Sequence, residues 1–397
     1  MSCNNFISKL LDIQDISECF VENVGEEKHI HLKHIRKKCA CPVCGRLTDK
    51  IHDYREQKVK DLSVSGKRTY LYIRKRRYRC ENCGKRFYER TPYLARYARM
   101  TNRMGLEILD RLGDTVSYTQ VGREFGISTT NVMQRFDIIS HGKPELPPIL
   151  AMDEFRGNTG GEKFNCIIAD PLKKKVLDIL PKRTENAVLD YLLQFPKEDR
   201  DRVQYFISDM WTPYQDAARA AFGKSTRVID RYHWIRQITW AFERVRKDVQ
   251  KHMTKERRIY FKHSRKLLLK RFAELSDDDK QAVNIMLYYS ADLSTAHFYK
   301  EEFQKIADCR SLVDAKKMMR EWIESAIECG VRPIEDCART MLRWETEILS
   351  SYNTSCTNGF VEGCNNRIKV LKRVSYGCRN FKRFRNRILY IFNSSAT

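Results

Sequence analysis

This 397-residue chain lacks long apolar runs, and its acidic residues are few relative to its basic ones. No stretch approaches the ~18 apolar residues that a membrane-spanning helix needs. The N-terminal segment MSCNNFISKLLDIQDISE has apolar residues at helical spacing but no basic start, so we expect no signal peptide. Asp and Glu number 51 against 74 Lys and Arg, a formal net charge of +23. This excess favours a polyanionic partner, and nucleic acid fits it better than a membrane surface.

Cysteine is abundant, but most of the 14 cysteines are scattered, and without a secretory signal they argue against a disulfide framework. Four of them form two CxxCG motifs, CPVCG at 41–45 and CENCG at 80–84. We predict that Cys41, Cys44, Cys80 and Cys83 hold one structural Zn²⁺, with Cys39 as a bystander. The alternative is four unrelated buried thiols, which the paired spacing disfavours.

The chain between the two motifs alternates like strands, and TYLYIRKRRYRC at 69–80 runs into the second motif as a zinc-ribbon hairpin does. Its basic residues are interleaved with tyrosines, so either a solvated face or a phosphate-binding surface is possible. We favour DNA contact, because rigid strands hold the charges. The predicted contacts are Arg74, Arg76 and Arg77, in a basic zinc module that covers residues 1–95.

Residues 96–145 have the pattern of a helix-turn-helix DNA-binding domain. We predict one amphipathic helix over 96–112. Two shorter helices, at 119–125 and 128–136, then flank a turn at Gly126.

Thr119 and Ser128 are the expected N-caps of the two shorter helices. The second helix would enter the major groove, with outward-facing DNA contacts at Thr130, Asn131, Gln134 and Arg135. An ordinary helical hairpin is the alternative, and the preceding basic module favours DNA binding.

Residues 148–232 alternate between short apolar runs and helical segments. Strands are predicted at 148–154, 163–170, 175–181, 203–209 and 225–230, and helices at 184–195 and 210–222. The predicted order is three strands, a helix, a strand, a helix and a strand. This is the RNase H-like pattern, in which an antiparallel set of strands is extended by parallel strands. The fold class is therefore an α+β multidomain protein with an RNase H-like catalytic core.

Asp153 and Asp209 each end one of the predicted buried strands. The first and fourth strands are neighbours in such a sheet, so the two carboxylates should converge. Because adjacent buried carboxylates repel, they favour divalent cations, and hard oxygen ligands suit two Mg²⁺ or Mn²⁺ ions. Two simpler interpretations stay open: Glu154 is the ligand instead of Asp153, or Asp209 only caps the helix near Trp211.

The segment TNGFVEGCNNRIKVLKR at 357–373 is an amphipathic helix with one acid among many bases. Its polar face carries Glu362, Asn366, Lys369 and Arg373. Glu362 is either one half of an intrahelical salt bridge or the third metal-binding acid. With two strand-end aspartates in the chain we favour the third acid, and we expect the neighbouring polar and basic residues to contact DNA: Asn366, Lys369, Lys372 and Arg373.

Residues 233–352 are helical throughout and form an all-helical insertion before C-terminal core helices at 353–397. The insertion contains three tryptophans, Trp240, Trp322 and Trp344, which we interpret as core, with stacking on a flipped base as the alternative. At its start, His233 can orient a phosphate or can be a hydrogen-bonded core histidine.

These motifs together resemble the DDE transposases of bacterial insertion sequences, most closely the ISL-three (ISL3) group, over nearly the whole chain. The resemblance rests on the two CxxC motifs, the helix-turn-helix, MDE at 152–154, SDM at 208–210, DRYH at 230–233 and NGFVEGCNNRIK at 358–369. It implies a catalytic, metal-binding triad of Asp153, Asp209 and Glu362. It also implies accessory roles for Asp230 and His233 and a DNA contact at Lys369.

The expected function is a transposase that binds the terminal inverted repeats of an insertion sequence and catalyses DNA cleavage and strand transfer. Its partners would be double-stranded DNA at the element ends and the target, and further copies of the chain on that DNA. We expect a bacterial cytoplasmic, nucleoid-associated protein. The alternatives are an RNase H-like nuclease that cuts without joining and a zinc and helix-turn-helix transcription regulator.

Overall fold

The structure is a computed structural model that describes residues 3–159, 161–354 and 357–393. It separates into two compact units. The first contains the described part of Met1–His141 together with Val370–Gly377, and the second contains Gly142–Lys369 and Cys378–Asn393. The C-terminal segment predicted at 353–397 includes residues 355–356 and 394–397, which lie outside the described residues.

The first unit opens with one helix and a series of strands. They are α1 (Cys3–Leu11), β1 (Ile16–Val24), β2 (Glu27–His34), β3 (Cys39–Ala40), β4 (Leu47–Thr48), β5 (Ile51–Val64), β6 (Lys67–Arg79) and β7 (Arg86–Tyr88). The main sheet has the order β1-β2-β6-β5, with β7 paired to β6, and β2 runs parallel to β6. The β5–β6 hairpin turns through Ser65 and Gly66, both at positive φ, which matches the twist of its strands.

Strict alternation along the main sheet gives it one apolar and one polar face. The apolar face packs against α1 and forms the core of this unit: Ile30, Leu32, Val59, Leu71 and Ile73 with Ile7 and Leu11.

Three helices follow: α2 (Asn102–Arg111), α3 (Tyr118–Glu124) and α4 (Thr129–Phe136). The single helix predicted at 96–112 was too long, because α2 starts only after Thr101. The Thr101 hydroxyl caps α2 by accepting from the Met104 N–H, and it also donates to the buried Asp61 carboxylate.

The two short helices predicted around Gly126 are present, and Gly126 adopts φ +59° in the turn between them. Ser128 caps α4 as expected. The cap of α3 is Ser117 rather than Thr119, since the Ser117 hydroxyl accepts from the Gln120 N–H.

The second unit contains a five-stranded sheet with helices between its later strands. The elements are β8 (Ile149–Phe155), β9 (Asn165–Asp170), β10 (Lys175–Leu180), α5 (Glu185–Leu193), α6 (Lys197–Arg200), β11 (Tyr205–Ser208), α7 (Thr212–Phe222) and β12 (Thr226–Ile229). The sheet order is β10-β9-β8-β11-β12. Strands β8 to β10 pair antiparallel, and β11 pairs parallel with both β8 and β12. The predicted element order is confirmed, with α6 as a short addition.

Both faces of this sheet are buried, which explains its unbroken apolar strands. One face packs against α5 and α7, with Met152, Ile168 and Phe206 in the core. The helix α17 (Phe381–Asn393) also packs on the sheet, and its Arg385 forms an ion pair with Asp178 of β10.

The remaining described part of the second unit is helical, as predicted. It comprises α8 (Arg231–Lys251), α9 (Lys255–His263), α10 (Arg265–Leu269), α11 (Asp277–Tyr288), α12 (Ala291–Asp308), α13 (Leu312–Ala326), α14 (Arg332–Arg343) and α15 (Glu345–Leu349), with 3₁₀ turns at Phe272–Glu274 and Ser350–Asn353. Helix α16 (Gly359–Val374) begins in this unit and ends in the first. Within the described helices, none is both long and apolar enough to cross a membrane.

Two of the three tryptophans interpreted as core are buried, Trp322 and Trp344. Trp240 is not, because it lies on the open side of α8 and is 49% exposed. The core position on α8 is occupied instead by Trp234, whose ring contacts Phe303 edge-on at 5.5 Å.

Candidate active site and zinc centre

The four cysteines of the CxxCG motifs lie together in the first unit. Cys41 and Cys44 follow β3, and Cys80 and Cys83 follow β6. Their sulfur atoms all lie within 4.8 Å of one another, with Cys41–Cys83 and Cys44–Cys80 separations of 3.5 Å. Four thiolates about 2.3 Å from a tetrahedral ion would have similar spacings, so the set fits one structural zinc.

The turn of the first motif favours the thiolate form of its two cysteines. The backbone N–H of Cys44 lowers the pKa of Cys41, and the N–H of Arg46 lowers the pKa of Cys44 to about 6. In the second motif the N–H of Lys85 also acts to lower the pKa of Cys83, but burial and the neighbouring thiols outweigh it and raise that pKa to about 12. Gly45 and Gly84 make the same turn in each motif, at φ +72° and +70°. Cys39 has the opposite character, because burial raises the pKa of its thiol and the sulfur donates to the Lys37 carbonyl.

Asp153 and Asp209 lie on neighbouring strands of the second unit. Ala151 of β8 pairs with Ile207 of β11, and each aspartate follows two residues later. Burial raises the pKa of Asp153 to about 7, and the charge of Asp209 acts in the same direction. Burial likewise raises the pKa of Asp209 to about 6, reinforced by Glu154. Asp153, within β8, and Asp209, directly after β11, therefore bring negative charge together in a poorly solvated place.

The two carboxylates differ in their hydrogen bonds. Asp153 accepts from the Glu154 N–H at 2.7 Å and from the Asn365 side-chain amide at 2.8 Å. Asp209 Oδ1 is buried and has no hydrogen-bond partner among the described residues. A buried carboxylate oxygen without a donor is costly unless a cation binds it, so this pair fits a divalent metal.

Glu154 has a counter-ion, whereas no described residue forms an ion pair with Asp153. Its carboxylate forms an ion pair with Arg183, whose guanidinium stacks on Phe164 at 4.4 Å and on Trp211 at 4.6 Å. This arrangement favours Asp153 over Glu154 as the available ligand.

Glu362 lies in the first turn of α16, and its side chain is exposed. It is one turn before Asn365, the residue that contacts Asp153. Its carboxylate does not join the two aspartates in a preformed ligand set. Among the described residues, only the four cysteines bring three or more His, Cys, Asp or Glu ligand atoms within 4.8 Å of one another.

Asp230 and His233 lie where β12 leads into α8. Asp230 is buried, and its Oδ1 accepts from the backbone N–H of Asn358 at 2.8 Å, immediately before α16. Burial lowers the pKa of His233 to about 4, helped by the charge of Arg236 and opposed by that of Glu362. The imidazole is therefore neutral at neutral pH.

Sequence reasoning missed the residues that support these acids. Asn365 and Asn358 fix Asp153 and the start of α16, while Arg183 and Arg236 supply positive charge. For Asn358, Asn365 and Arg236 the only signal in the sequence was their position inside or next to the acidic motifs. Helical periodicity does not show which residue of a helix contacts the sheet.

The predicted polar face of α16 is confirmed. Glu362, Asn366, Lys369 and Arg373 are all exposed, and the Lys369 ammonium donates to Asn366 Oδ1 at 3.2 Å. Lys372 is partly buried.

Two of the predicted DNA contacts, Arg76 and Arg135, have guanidinium groups that make contacts within the fold. Arg76 is largely buried in an ion pair with Glu89 at 3.1 Å and donates to the His34 carbonyl. Arg135 is partly buried against Gly105 of α2, and burial lowers its pKa. Neither faces solvent freely.

The other predicted contacts in the first unit are at least partly accessible. Arg74 is exposed and lies over the Tyr54 ring at 4.3 Å, and Arg77 pairs with Asp53 at 3.3 Å. On α4, the exposed residues are Thr130, Asn131 and Gln134.

Comparison with known proteins links both centres to one kind of protein. Residues 150–388 match the ISL3-type DDE family described as "Transposase". Residues 37–83 match the zinc-finger of transposase IS204/IS1001/IS1096/IS1165. The chain is 28% identical over 385 residues to the transposase for insertion sequence element IS1001 of Bordetella parapertussis, covering 94% of each chain.

Proposed function

Because this chain belongs to the ISL3 group of DDE transposases, and so is an insertion-sequence transposase, we propose that Asp153, Asp209 and Glu362 are its catalytic triad. The proposal rests on the pair of partly buried aspartates at adjacent positions of β8 and the end of β11, because one of them has a buried oxygen without a hydrogen-bond partner among the described residues. Glu362 is assigned as the third member because α16 docks beside Asp153 through Asn365.

The sheet of the second unit is proposed to be an RNase H-like core. Its strand order, numbered from β8, is 3-2-1-4-5, with the first three strands antiparallel and the last two parallel. In this topology the acids at the ends of the first and fourth strands are neighbours, which supports the triad assignment.

Asp153, Asp209 and Glu362 would hold two Mg²⁺ or Mn²⁺ ions. When bound, such a pair activates a water or a DNA 3′-hydroxyl and stabilises the leaving oxygen of the phosphodiester. The chain supplies the geometry: Asn365 orients the Asp153 carboxylate. Asp230 fixes the start of α16, the helix that carries Glu362.

Binding of the terminal inverted repeats is assigned to the first unit and to the polar face of α16. Thr130, Asn131 and Gln134 are exposed on α4, the second helix of a helix-turn-helix arrangement, and are the proposed base contacts. Arg74, Lys369 and Arg373 are exposed and carry the positive charge that phosphate contacts need. We further propose that copies of the chain assemble on the DNA, because an element has two ends to process.

The test is cleavage and joining of a duplex that carries the terminal inverted repeat taken from DNA flanking the gene. Alanine at any of the three acids should abolish cleavage in Mg²⁺ and Mn²⁺ and leave end binding intact, while Asp292→Ala, an exposed acid on α12, should cleave normally. Cleavage by an Asp153, Asp209 or Glu362 variant would remove that residue from the triad. Cleavage without joining by the native protein would indicate a nuclease, and end binding without cleavage a regulator.

A further inference from the structure

Helix α8 carries an exposed stack of aromatic and basic side chains beside the acidic site. Tyr232, Arg236 and Trp240 are spaced by four residues and share one side of the helix. The Arg236 guanidinium lies between the two rings, 5.2 Å from the Tyr232 centroid and 4.3 Å from that of Trp240. The two rings are 51% and 49% exposed. Such stacking restrains a long side chain that would otherwise be mobile.

The guanidinium has donors to spare. One Nη donates to His233 Nδ1 at 3.2 Å, while the buried Nε has no hydrogen-bond partner among the described residues. Within the same part of the chain Arg236 forms no ion pair, in contrast to Arg183, which is bound to Glu154. An arginine that two rings hold in place, and whose charge has no carboxylate partner among the described residues, can bind an anion.

Hydrogen bonds around the start of α8 place Arg236 near the acidic site. Asp230, which precedes α8, accepts from the Asn358 N–H at 2.8 Å, and the Asn358 side-chain amide donates to the carbonyl of Met152, the residue before Asp153, at 3.5 Å. Arg236 contacts His233 in the first turn of the same helix. An anion bound at the acidic site would therefore lie near a forked cation that has no carboxylate partner among the described residues.

We propose that Arg236 binds a non-bridging oxygen of the phosphodiester that is cut, and that Tyr232 and Trp240 position its guanidinium. This inference rests on the proposed function of the acidic site. The guanidinium fork matches phosphate geometry and keeps its charge at any working pH. It also stabilises the charge that spreads over the phosphoryl oxygens during transfer.

A purely structural role makes a different prediction. If Arg236 only neutralises Asp209, its loss weakens cleavage whatever the charge of the scissile phosphate. If it binds the phosphate, its loss matters only while that phosphate is charged.

The experiment measures equilibrium binding, in Ca²⁺, of terminal-repeat duplexes with either a normal phosphate or a neutral methylphosphonate at the cleavage position. The native protein should bind the normal duplex more tightly, by about 10- to 100-fold for a charge-assisted contact. Arg236→Gln should lose most of this preference, keeping only the part that the metal ions supply, and Arg236→Lys should recover some of what is lost. Arg244→Gln, at an exposed arginine two turns further along α8, should keep the native preference.

Single-turnover cleavage in Mg²⁺ separates this proposal from the preceding one. If the native protein cleaves and Arg236→Gln still discriminates between the two duplexes as the native protein does, the phosphate contact is wrong and the triad stands. If the native protein cleaves neither in Mg²⁺ nor in Mn²⁺, the proposed function itself fails. Thermal melting of Arg236→Gln close to native would confirm that the comparison is between folded proteins.

Discussion

The hydrogen bond from Asn365 to Asp153 offers a sharp test of how α16 serves the active site. The Asn365 amide donates to Asp153 Oδ2 at 2.8 Å and to the Glu154 carbonyl at 3.4 Å. Asn365→Leu keeps the approximate size of the side chain and removes both donors. Asp153 then loses the contact that fixes its orientation from the helix side.

The expected size of the effect follows from the nature of the bond. A hydrogen bond to an ionised group contributes about 1.5–3 kcal/mol, which corresponds to roughly 10- to 150-fold in rate or affinity. Loss of a group that orients a metal ligand typically costs about 10- to 100-fold in metal affinity or activity. We therefore expect Asn365→Leu to slow cleavage by one to two orders of magnitude at limiting Mg²⁺, with recovery as Mg²⁺ rises.

The assay is single-turnover cleavage of a terminal-repeat duplex across a Mg²⁺ titration. Asn284→Leu, the same substitution at an exposed position of α11, is the matched control and should behave as the native protein. Thermal melting checks that both variants fold. If Asn365→Leu cleaves within about threefold of native at every Mg²⁺ concentration, the reasoning about Asp153 is refuted.

Three further predictions concern the zinc centre, the start of α16 and the helical core. Cys41→Ser should lose the single bound zinc and bind the element ends more weakly, whereas Cys39→Ser should keep the zinc and the binding. Zinc content is measured by atomic emission, and an unchanged zinc content in Cys41→Ser would contradict the site. Asp230→Ala leaves the buried Asn358 N–H without an acceptor, so we expect a loss of about 1–3 kcal/mol in unfolding free energy and weaker cleavage. A denaturant unfolding curve identical to that of the native protein would rule out this contribution of Asp230. His297 is buried between Phe242 and Phe272, and burial lowers its pKa from 6.5 to about 4. The unfolded chain therefore takes up this proton first, and stability falls as pH drops from 6.5 to 4, by about 3 kcal/mol for this group. His297→Gln should remove that part of the pH dependence in denaturant titrations, and an identical slope in both proteins would exclude it.

The sequence alone predicted the order of strands and helices in the second unit and the proximity of Asp153 and Asp209. The apolar runs before Asp153 and Asp209 predict β8 and β11, and parallel pairing of these strands brings the two aspartates to equivalent positions, although β8 continues past Asp153 to Phe155. The zinc ligands were equally predictable, because two thiols on one tight turn have few other uses.

Other features depended on contacts between distant residues, which no local pattern contains. Arg76 lies in a run of four basic residues, and only the position of Glu89 shows that it faces inward. The choice of Asn365 over Asn366 as the partner of Asp153 depends on how α16 docks. The predicted helix start at residue 96 was wrong, because Thr101 caps α2 and its hydroxyl donates to the buried Asp61 carboxylate.

Helix α16 fixes the distance between Glu362 and Lys369 along the helix axis. Glu362 and Lys369 are seven residues apart, which is about 10 Å at 1.5 Å per residue and close to two full turns. If the acid lies at the cut and the lysine at a phosphate, the helix measures about three nucleotide steps of 3.4 Å along one strand. A single inserted or deleted residue between them would turn the lysine by about 100° away from the acid's face. Between Glu362 and Lys369, the exposed positions without an assigned role should therefore tolerate substitution better than this stretch tolerates any change in length.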